Sequence, residues 1–290
     1  IAGGLALGMV LVLGVLGVIV LSGLVGWSGM PLTKMFAENF WMYVGILGGV
    51  RLECADVPVI DTTSVVATVD PTLQKGTVIC RVFVRWPDSA TAPSGRVRVS
   101  IPETDAAAEM ELARADDAST VTCHEIRLEV DEPELWWPAG QGDQKLYDVE
   151  MSLVAGDAVQ TVHAATGFRR VEIDQSPHPD GGRHFIVCVN GRRIFCKGGN
   201  WVPPDLMPAR VPAERYEAVI AEAVTANFNT LRVWGGGVFA PPALLEACDR
   251  LGVLVWHDLL FACAKYPGDD PAFVTEVEAE VTEAVRRKPY

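Results

Sequence analysis

The tightest constraint on the fold lies in residues 193–290, where strand-like and helix-like runs alternate. Arg193-Ile-Phe-Cys196, Asn229-Thr-Leu-Arg-Val-Trp234 and Val253-Leu-Val-Trp-His-Asp258 are short and apolar, as strands are. Between and after them come runs with helical spacing. Tyr216, Val219, Ile220, Ala223, Val224 and Phe228 follow Pro212, and Leu244, Leu245, Cys248 and Leu251 lie between Pro241-Pro242 and a stop at Gly252. Phe273, Val274, Val277, Val281 and Val285 follow Asp270-Pro271. Strands alternating with helices imply right-handed parallel βαβ units. Either a doubly wound sheet or a closed (β/α)₈ TIM barrel would satisfy that pattern. The strand ends separate the two: Asn200 and Trp201, Arg232 and Trp234, and His257 and Asp258 carry polar or aromatic groups. A barrel places its chemistry at that carboxyl face. A dinucleotide-binding turn would need Gly-x-Gly-x-x-Gly leading straight into a helix, whereas Gly235-Gly-Gly237 runs into Val-Phe-Ala-Pro-Pro with no phosphate-binding lysine.

Upstream, residues 50–168 change to period two. Thr77-Val-Ile-Cys-Arg-Val-Phe-Val-Arg-Trp86, Arg96-Val-Arg-Val-Ser-Ile101, and residues 121–130 and 147–154 read as short strands separated by Pro93-Ser-Gly and Gly140-Gln-Gly-Asp turns. That spacing predicts a two-sheet sandwich of immunoglobulin type. Residues 105–117, rich in alanine and acid, read as an exposed excursion, and Lys197-Gly-Gly-Asn-Trp-Val-Pro-Pro-Asp205 as a loop. Asn190-Gly191 signals a type I′ hairpin after the strand 185–189. Trp136 and Trp137, ahead of Pro138, either anchor a sandwich loop or stack on a sugar, and the first reading is favoured.

Charge and apolar content are unevenly spread. The first 33 residues hold no charged side chain, so the net charge of −13 belongs to the remainder. An acidic surface repels nucleic acid, which is bound through cationic phosphate contacts. Residues 5–27, apolar apart from glycines and Ser22, are long enough to span a bilayer core as a helix rising about 1.5 Å per residue. They predict a membrane association, although no basic residue precedes them and glycine is dense. The seven cysteines are odd in number, show no CxxC spacing and mostly sit in apolar runs. They read as buried small hydrophobes in a reducing, cytoplasmic setting. His178 and His184 sit in a turn without a further ligand at metal spacing, so no metal and no other cofactor is expected.

Three motifs carry a resemblance: Lys197-Gly-Gly-Asn-Trp-Val-Pro-Pro-Asp205, Asn229-Thr-Leu-Arg-Val-Trp-Gly-Gly-Gly237 and Val255-Trp-His-Asp-Leu-Leu-Phe-Ala-Cys-Ala-Lys-Tyr-Pro267. With Leu135-Trp-Trp-Pro138, Gly167-Phe-Arg169 and Val189-Asn-Gly191 upstream, they resemble glycoside hydrolase family 2, and within it the β-mannosidase branch. The resemblance covers the chain from about residue 45 to its end. It implies an immunoglobulin-like sandwich over 45–168 and the start of a TIM-barrel catalytic domain over 169–290, whereas residues 1–44 depart from the family and read as an apolar segment, a transmembrane helix or a disrupted jelly-roll remnant. It also implies hydrolysis of terminal, non-reducing β-D-mannose by a retaining mechanism in which two glutamates flank the bond.

The family carries its acid/base after strand four and its nucleophile on strand seven. Neither is expected in this chain, which is therefore read as a fragment without hydrolytic activity. Glu276, Glu278, Glu280 and Glu283 fall on a helix and read as solvated charge. By resemblance Arg232 would hold a catalytic carboxylate ionised, Trp201 and Trp234 would face a sugar ring, and Asn200 and Asp258 would bind hydroxyls. Packing for the two tryptophans, and an ion pair with Arg232 for Asp258, stay open as alternatives, while His257 is expected to pack outward. The partner implied is a β-mannoside oligosaccharide or glycoconjugate. A reading of another class is a membrane-tethered, non-catalytic carbohydrate-binding or adhesion module built on the sandwich.

Overall fold

The computed structural model describes residue 50 and residues 52–87, 94–113, 120–205 and 208–287. The apolar run 5–27 lies outside them. Among the described residues no helix is long and apolar enough to cross a membrane.

Strands β1 (Val59–Val69), β2 (Lys75–Arg85), β3 (Gly95–Ser100), β4 (Ala107–Leu112), β5 (Val121–Asp131), β6 (Tyr147–Ala155) and β7 (Ala158–Thr166) form two antiparallel sheets, ordered β1-β2-β5 and β4-β3-β6-β7. Alternate residues of each strand point inward. Val78, Cys80, Val82 and Val84 of β2 therefore share a core with Val97 and Val99 of β3 and Val149, Met151 and Leu153 of β6. Burying each such side chain contributes about 1.5–3 kcal/mol before entropy is counted.

The excursion expected over 105–117 is corrected for its described part, because residues 107–112 are a paired strand. Its alternation is carried by small or flexible residues. Leu112 is buried and Ala108 and Met110 partly so, while Glu111 and Glu109 meet Arg96 and Arg98 across the pair at 2.6 and 2.9 Å. Opposite charges on facing strands stabilise the pairing that weak β propensity does not.

A small antiparallel sheet follows, in the order β10 (Arg192–Ile194), β9 (Ile186–Val189), β8 (Val171–Asp174). Asn190 and Gly191 turn the β9–β10 hairpin with φ of +50° and +76°, the left-handed values that a type I′ turn requires. Asn190 also works beyond its turn. Its Oδ1 accepts from the Arg170 main-chain N–H at 2.8 Å, and its Nδ2 donates to the Trp136 carbonyl at 3.0 Å.

The remaining elements run β11 (Gly198–Trp201), α1 (Ala213–Thr225), β12 (Thr230–Val233), α2 (Pro242–Leu251), β13 (Leu254–His257) and α3 (Pro271–Arg287), with the strands parallel in the order β11-β12-β13. Of the strand expected at 193–196, residues 193–194 end the hairpin's second strand, and the first parallel strand is the motif expected to be a loop. Glycine makes the difference. A Cβ on Gly198 would strike the Thr230 carbonyl, so only glycine lets β11 lie this close to β12.

Asn229, 1% exposed, aligns the sheet. Its Oδ1 accepts from the Lys197 N–H at 2.8 Å and from the Thr230 hydroxyl at 3.0 Å, its Nδ2 donates to the Phe195 carbonyl at 3.0 Å, and its own carbonyl accepts from Leu254 N–H at 2.8 Å. Helices α1 and α2 cover one face of the sheet, where Tyr216, Ile220, Leu244, Leu245 and Cys248 pack on Leu231 and Val233.

The cysteines are less buried than expected. Cys80 and Cys248 are in the two cores, but Cys123 is turned outward by the alternation of β5, and Cys54, Cys196 and Cys263 lie exposed outside the strands. All seven are free thiols.

Candidate functional site

Register decides which strand-end residues meet. Asn200, Arg232 and Trp256 lie side by side across β11, β12 and β13, and so do Trp201, Val233 and His257 one position later. Side chains in one such row point to one face of the sheet. The first row is exposed and the second faces the helices.

Arg232 is the centre of the exposed row. Its Nε donates to Asp258 Oδ1 at 3.1 Å and its Nη2 to Asp258 Oδ2, a two-pronged contact, while Nη1 donates to Asn200 Oδ1 at 3.1 Å. Gly235 N–H adds a contact to Asp258 Oδ2 at 3.3 Å. A guanidinium fork matched to a carboxylate fixes both groups in a plane. With its oxygen committed to Arg232, Asn200 presents its amide N–H pair as donors. The array is thus a charge-compensated platform that can hydrogen-bond neutral hydroxyls.

Trp234 directly precedes Gly235, whose N–H meets Asp258, and the glycines after it are spatially required. A Cβ on Gly236 would come within 2.5 Å of the Trp234 ring, and one on Gly237 within 3.0 Å of its Nε1. A Cβ on Gly235 would lie 2.6 Å from the Leu259 carbonyl. Trp-Gly-Gly-Gly is therefore a ring laid on bare backbone.

Trp201 requires a correction. It is 8% exposed and packs in the helix-side core with Tyr216, ring centroids 6.1 Å apart, because its register position points away from Arg232. Packing, the alternative left open for it, is what the structure shows. Of the five residues expected at the site, Asn200, Arg232 and Asp258 are brought into direct contact, Trp234 stands beside them through the Gly235 turn, and Trp201 is not among them. The ion pair expected as one option for Asp258 is present. His257 lies in the helix-facing row, as expected.

Two features were not anticipated. Trp256 joins the Arg232 row and is 51% exposed, its ring 5.7 Å from that of Phe185. It forms part of an apolar cleft of about 1050 Å³ that reaches Thr230 and Leu254 at the amino ends of β12 and β13, away from the Arg232 platform.

The second feature is a junction. Trp136, 1% exposed, donates from Nε1 to the Asp249 carbonyl at 2.7 Å, Arg169 lies over its ring at 4.6 Å, and Arg169 Nη2 donates to Asp249 Oδ1 at 3.1 Å. Burial raises the Asp249 carboxyl above its ordinary value, and the Arg169 charge opposes this only in part. A signal existed in the sequence: Asp249 stands four residues after Leu245, on the apolar stripe of α2, where an acid needs a partner. Trp136 anchors a loop, as favoured, and ties that loop to α2 as well. Trp137, by contrast, is covered by the Arg192 guanidinium at 4.4 Å. Among the described residues no three His, Cys, Asp or Glu side chains converge as metal ligands would.

Residues 59–169, the sandwich and its exit, match the family model described as Glycosyl hydrolases family 2. The chain belongs to that family. Its relatives are more particular. It is 35% identical over 248 residues to a β-mannosidase of Rattus norvegicus, covering 84% of this chain and 28% of that protein. It is 36% identical over 209 residues to β-mannosidase B of Thermothelomyces thermophilus, covering 71% and 24%. The crystal structure of a β-D-mannosidase from Dictyoglomus thermophilum matches with a TM-score of 0.67 at 28% identity, over 80% of this chain and 28% of that one. The chain thus spans about a quarter of the length of the curated relatives it matches.

Proposed function

We propose that this chain is part of a retaining glycoside hydrolase that removes terminal, non-reducing β-D-mannose, and that Asn200, Arg232, Trp234 and Asp258 form one wall of its sugar site. The observation that carries this reading is the Arg232 fork holding Asp258 and Asn200 together at the carboxyl ends of adjacent parallel strands. That is where a (β/α)₈ barrel puts its chemistry, and β11-α1-β12-α2-β13-α3 follows the order of such a barrel's opening units. In this reading residues 45–168 are the sandwich and residues 169–290 the beginning of the catalytic domain. The β-mannosidase names of the relatives supply the sugar.

The chemistry of the wall follows from its groups. Asn200 donates to a ring hydroxyl, Trp234 gives an apolar edge against which C–H groups of a pyranose pack, and Asp258 keeps Arg232 in place. Hydrolysis with retention needs two carboxyl groups about 5–5.5 Å apart, one nucleophile and one acid/base. Glu276, Glu278 and Glu280 are exposed along α3, and Glu283 pairs with Arg286 at 3.6 Å. They lie along a helix and away from the strand ends, and in this reading both catalytic glutamates lie outside these 290 residues.

The test uses p-nitrophenyl β-D-mannoside. The 290-residue chain should bind it without releasing p-nitrophenol, and the protein expressed with the whole coding sequence should release it in preference to the β-glucoside and β-galactoside. Release by the 290 residues alone would overturn the assignment of the glutamates. Equal turnover of all three sugars by the whole protein would overturn mannose as the substrate.

A further inference from the structure

His257 stands one residue from Asp258 and its ring is held from two sides. Ala240 N–H donates to Nε2 at 3.0 Å, so that nitrogen carries a lone pair. Nδ1, 2.7 Å from the Asp258 carbonyl oxygen, must then carry the hydrogen and donate it. Asp258 is fixed on its other side as well, its own N–H donating to the Val233 carbonyl at 3.0 Å. The Phe239 ring lies 5.6 Å from the imidazole at a shallow angle and restricts its rotation.

One neutral ring thus joins two parts of the site. Through Nδ1 it fixes the backbone of the residue whose carboxylate holds Arg232. Through Nε2 it closes the far end of the turn 235–240, which begins directly after Trp234. The imidazole itself lies in the row facing the helices and does not reach the exposed platform.

We infer that His257, with its hydrogen on Nδ1, is a positioning residue that keeps the Asp258–Arg232–Asn200 array and the Trp234-Gly-Gly-Gly turn in mutual register for a sugar ligand. This rests on the proposed sugar site for its ligand, but not for its geometry. The two bonds are separable by side-chain mimicry. An asparagine amide places an N–H donor where Nδ1 stands, and a glutamine places an acceptor oxygen where Nε2 stands.

The experiment uses the 290-residue chain and three variants, His257→Asn, His257→Gln and His257→Phe. Long-range ¹H–¹⁵N correlation of the unaltered chain should find the imidazole hydrogen on Nδ1. Exchange of the Arg232 Nε–H signal reports the array without any sugar. It should be slow in the unaltered chain and in His257→Asn, and faster in His257→Gln and His257→Phe. Binding of p-nitrophenyl β-D-mannoside by calorimetry should weaken about tenfold in the last two, the factor that one lost hydrogen bond supplies, and should be recovered in His257→Asn.

A hydrogen on Nε2, or an Arg232 Nε–H signal unchanged in His257→Phe, would overturn the inference. So would equal loss in all three variants, since that marks general packing. If the exchange pattern appears and the unaltered chain binds no mannoside, the sugar site fails while the positioning role stands.

Discussion

Trp136 and Asp249 are joined by a single 2.7 Å hydrogen bond from indole to main chain, which links the sandwich to helix α2. Around it the Arg169 guanidinium covers the ring and bonds the Asp249 carboxylate, and the Asn190 amide holds the Trp136 carbonyl. Trp136→Phe keeps a ring but leaves the Asp249 carbonyl without its donor. The expected loss is about 1–3 kcal/mol, read as a lower urea midpoint, whereas Trp136→Ala adds a cavity and should cost about 3–5 kcal/mol.

The pH behaviour of Asp249 has a defined sign. Its folded pKa is raised above the ordinary 3.8, chiefly by burial, so the folded state keeps a proton that the unfolded chain has lost. Stability contributed here is complete below the ordinary value and declines as pH rises through the folded one. Asp249→Asn should abolish that slope. Urea midpoints of the two proteins should therefore diverge in the variant's favour as pH increases across the window, and parallel curves would refute the attribution.

Asp70 works in the opposite direction. Its Oδ2 accepts from the Thr72 hydroxyl at 2.5 Å and its Oδ1 from the Gln74 and Lys75 N–H groups at 2.9 and 3.0 Å, which lowers its pKa to about 2, with the Thr72 bond the largest cause. Its help to the β1–β2 turn is present above the ordinary value of 3.8 and lost as pH falls through about 2. Asp70→Ala should speed amide exchange at Gln74 and Lys75 at neutral pH. The difference should vanish once the carboxylate is protonated.

At the platform, Gly236→Ala would push a methyl into the Trp234 ring. In the whole protein this substitution should lower kcat/KM for p-nitrophenyl β-D-mannoside on the order of a hundredfold, the scale of a 1 Å misplacement. The melting temperature should change little by comparison, because the clash falls in a half-exposed turn whose Trp234 belongs to neither hydrophobic core. An unchanged kcat/KM would remove Trp234 from the sugar wall.

What could be read beforehand followed from how strongly each residue type signals its environment. The helices α1 and α2 were legible because Leu244, Leu245 and Cys248 repeat at helical spacing and Gly252 ends the second with φ +79°. The sandwich was legible for the same reason at period two. Gly198–Trp201 was misread because glycine has no β propensity of its own, and the Thr230 backbone that demands it lies far away in sequence. Residues 107–112 hid their alternation behind alanine and glutamate, whose cross-strand arginine partners only the fold reveals. Trp201 went astray through register. One position along a strand separates Asn200, which faces the platform, from Trp201, which faces Tyr216, and motif spacing alone does not say which parity points inward.

The side-chain amide of Asn229 ties the start of β12 to the approach to β11, its main-chain carbonyl meets the start of β13, and the residue lies outside the platform itself. Because strand faces alternate, a slip of one residue in β12 would carry Val233 into the row of Asn200 and turn Arg232 toward the helices. The polar character of the surface therefore depends on a register that this buried amide helps to hold from outside the surface. Selection for what binds at the strand tips would act as strongly on a residue at their base, and drift at position 229 would erase the site while leaving each of its members in the sequence.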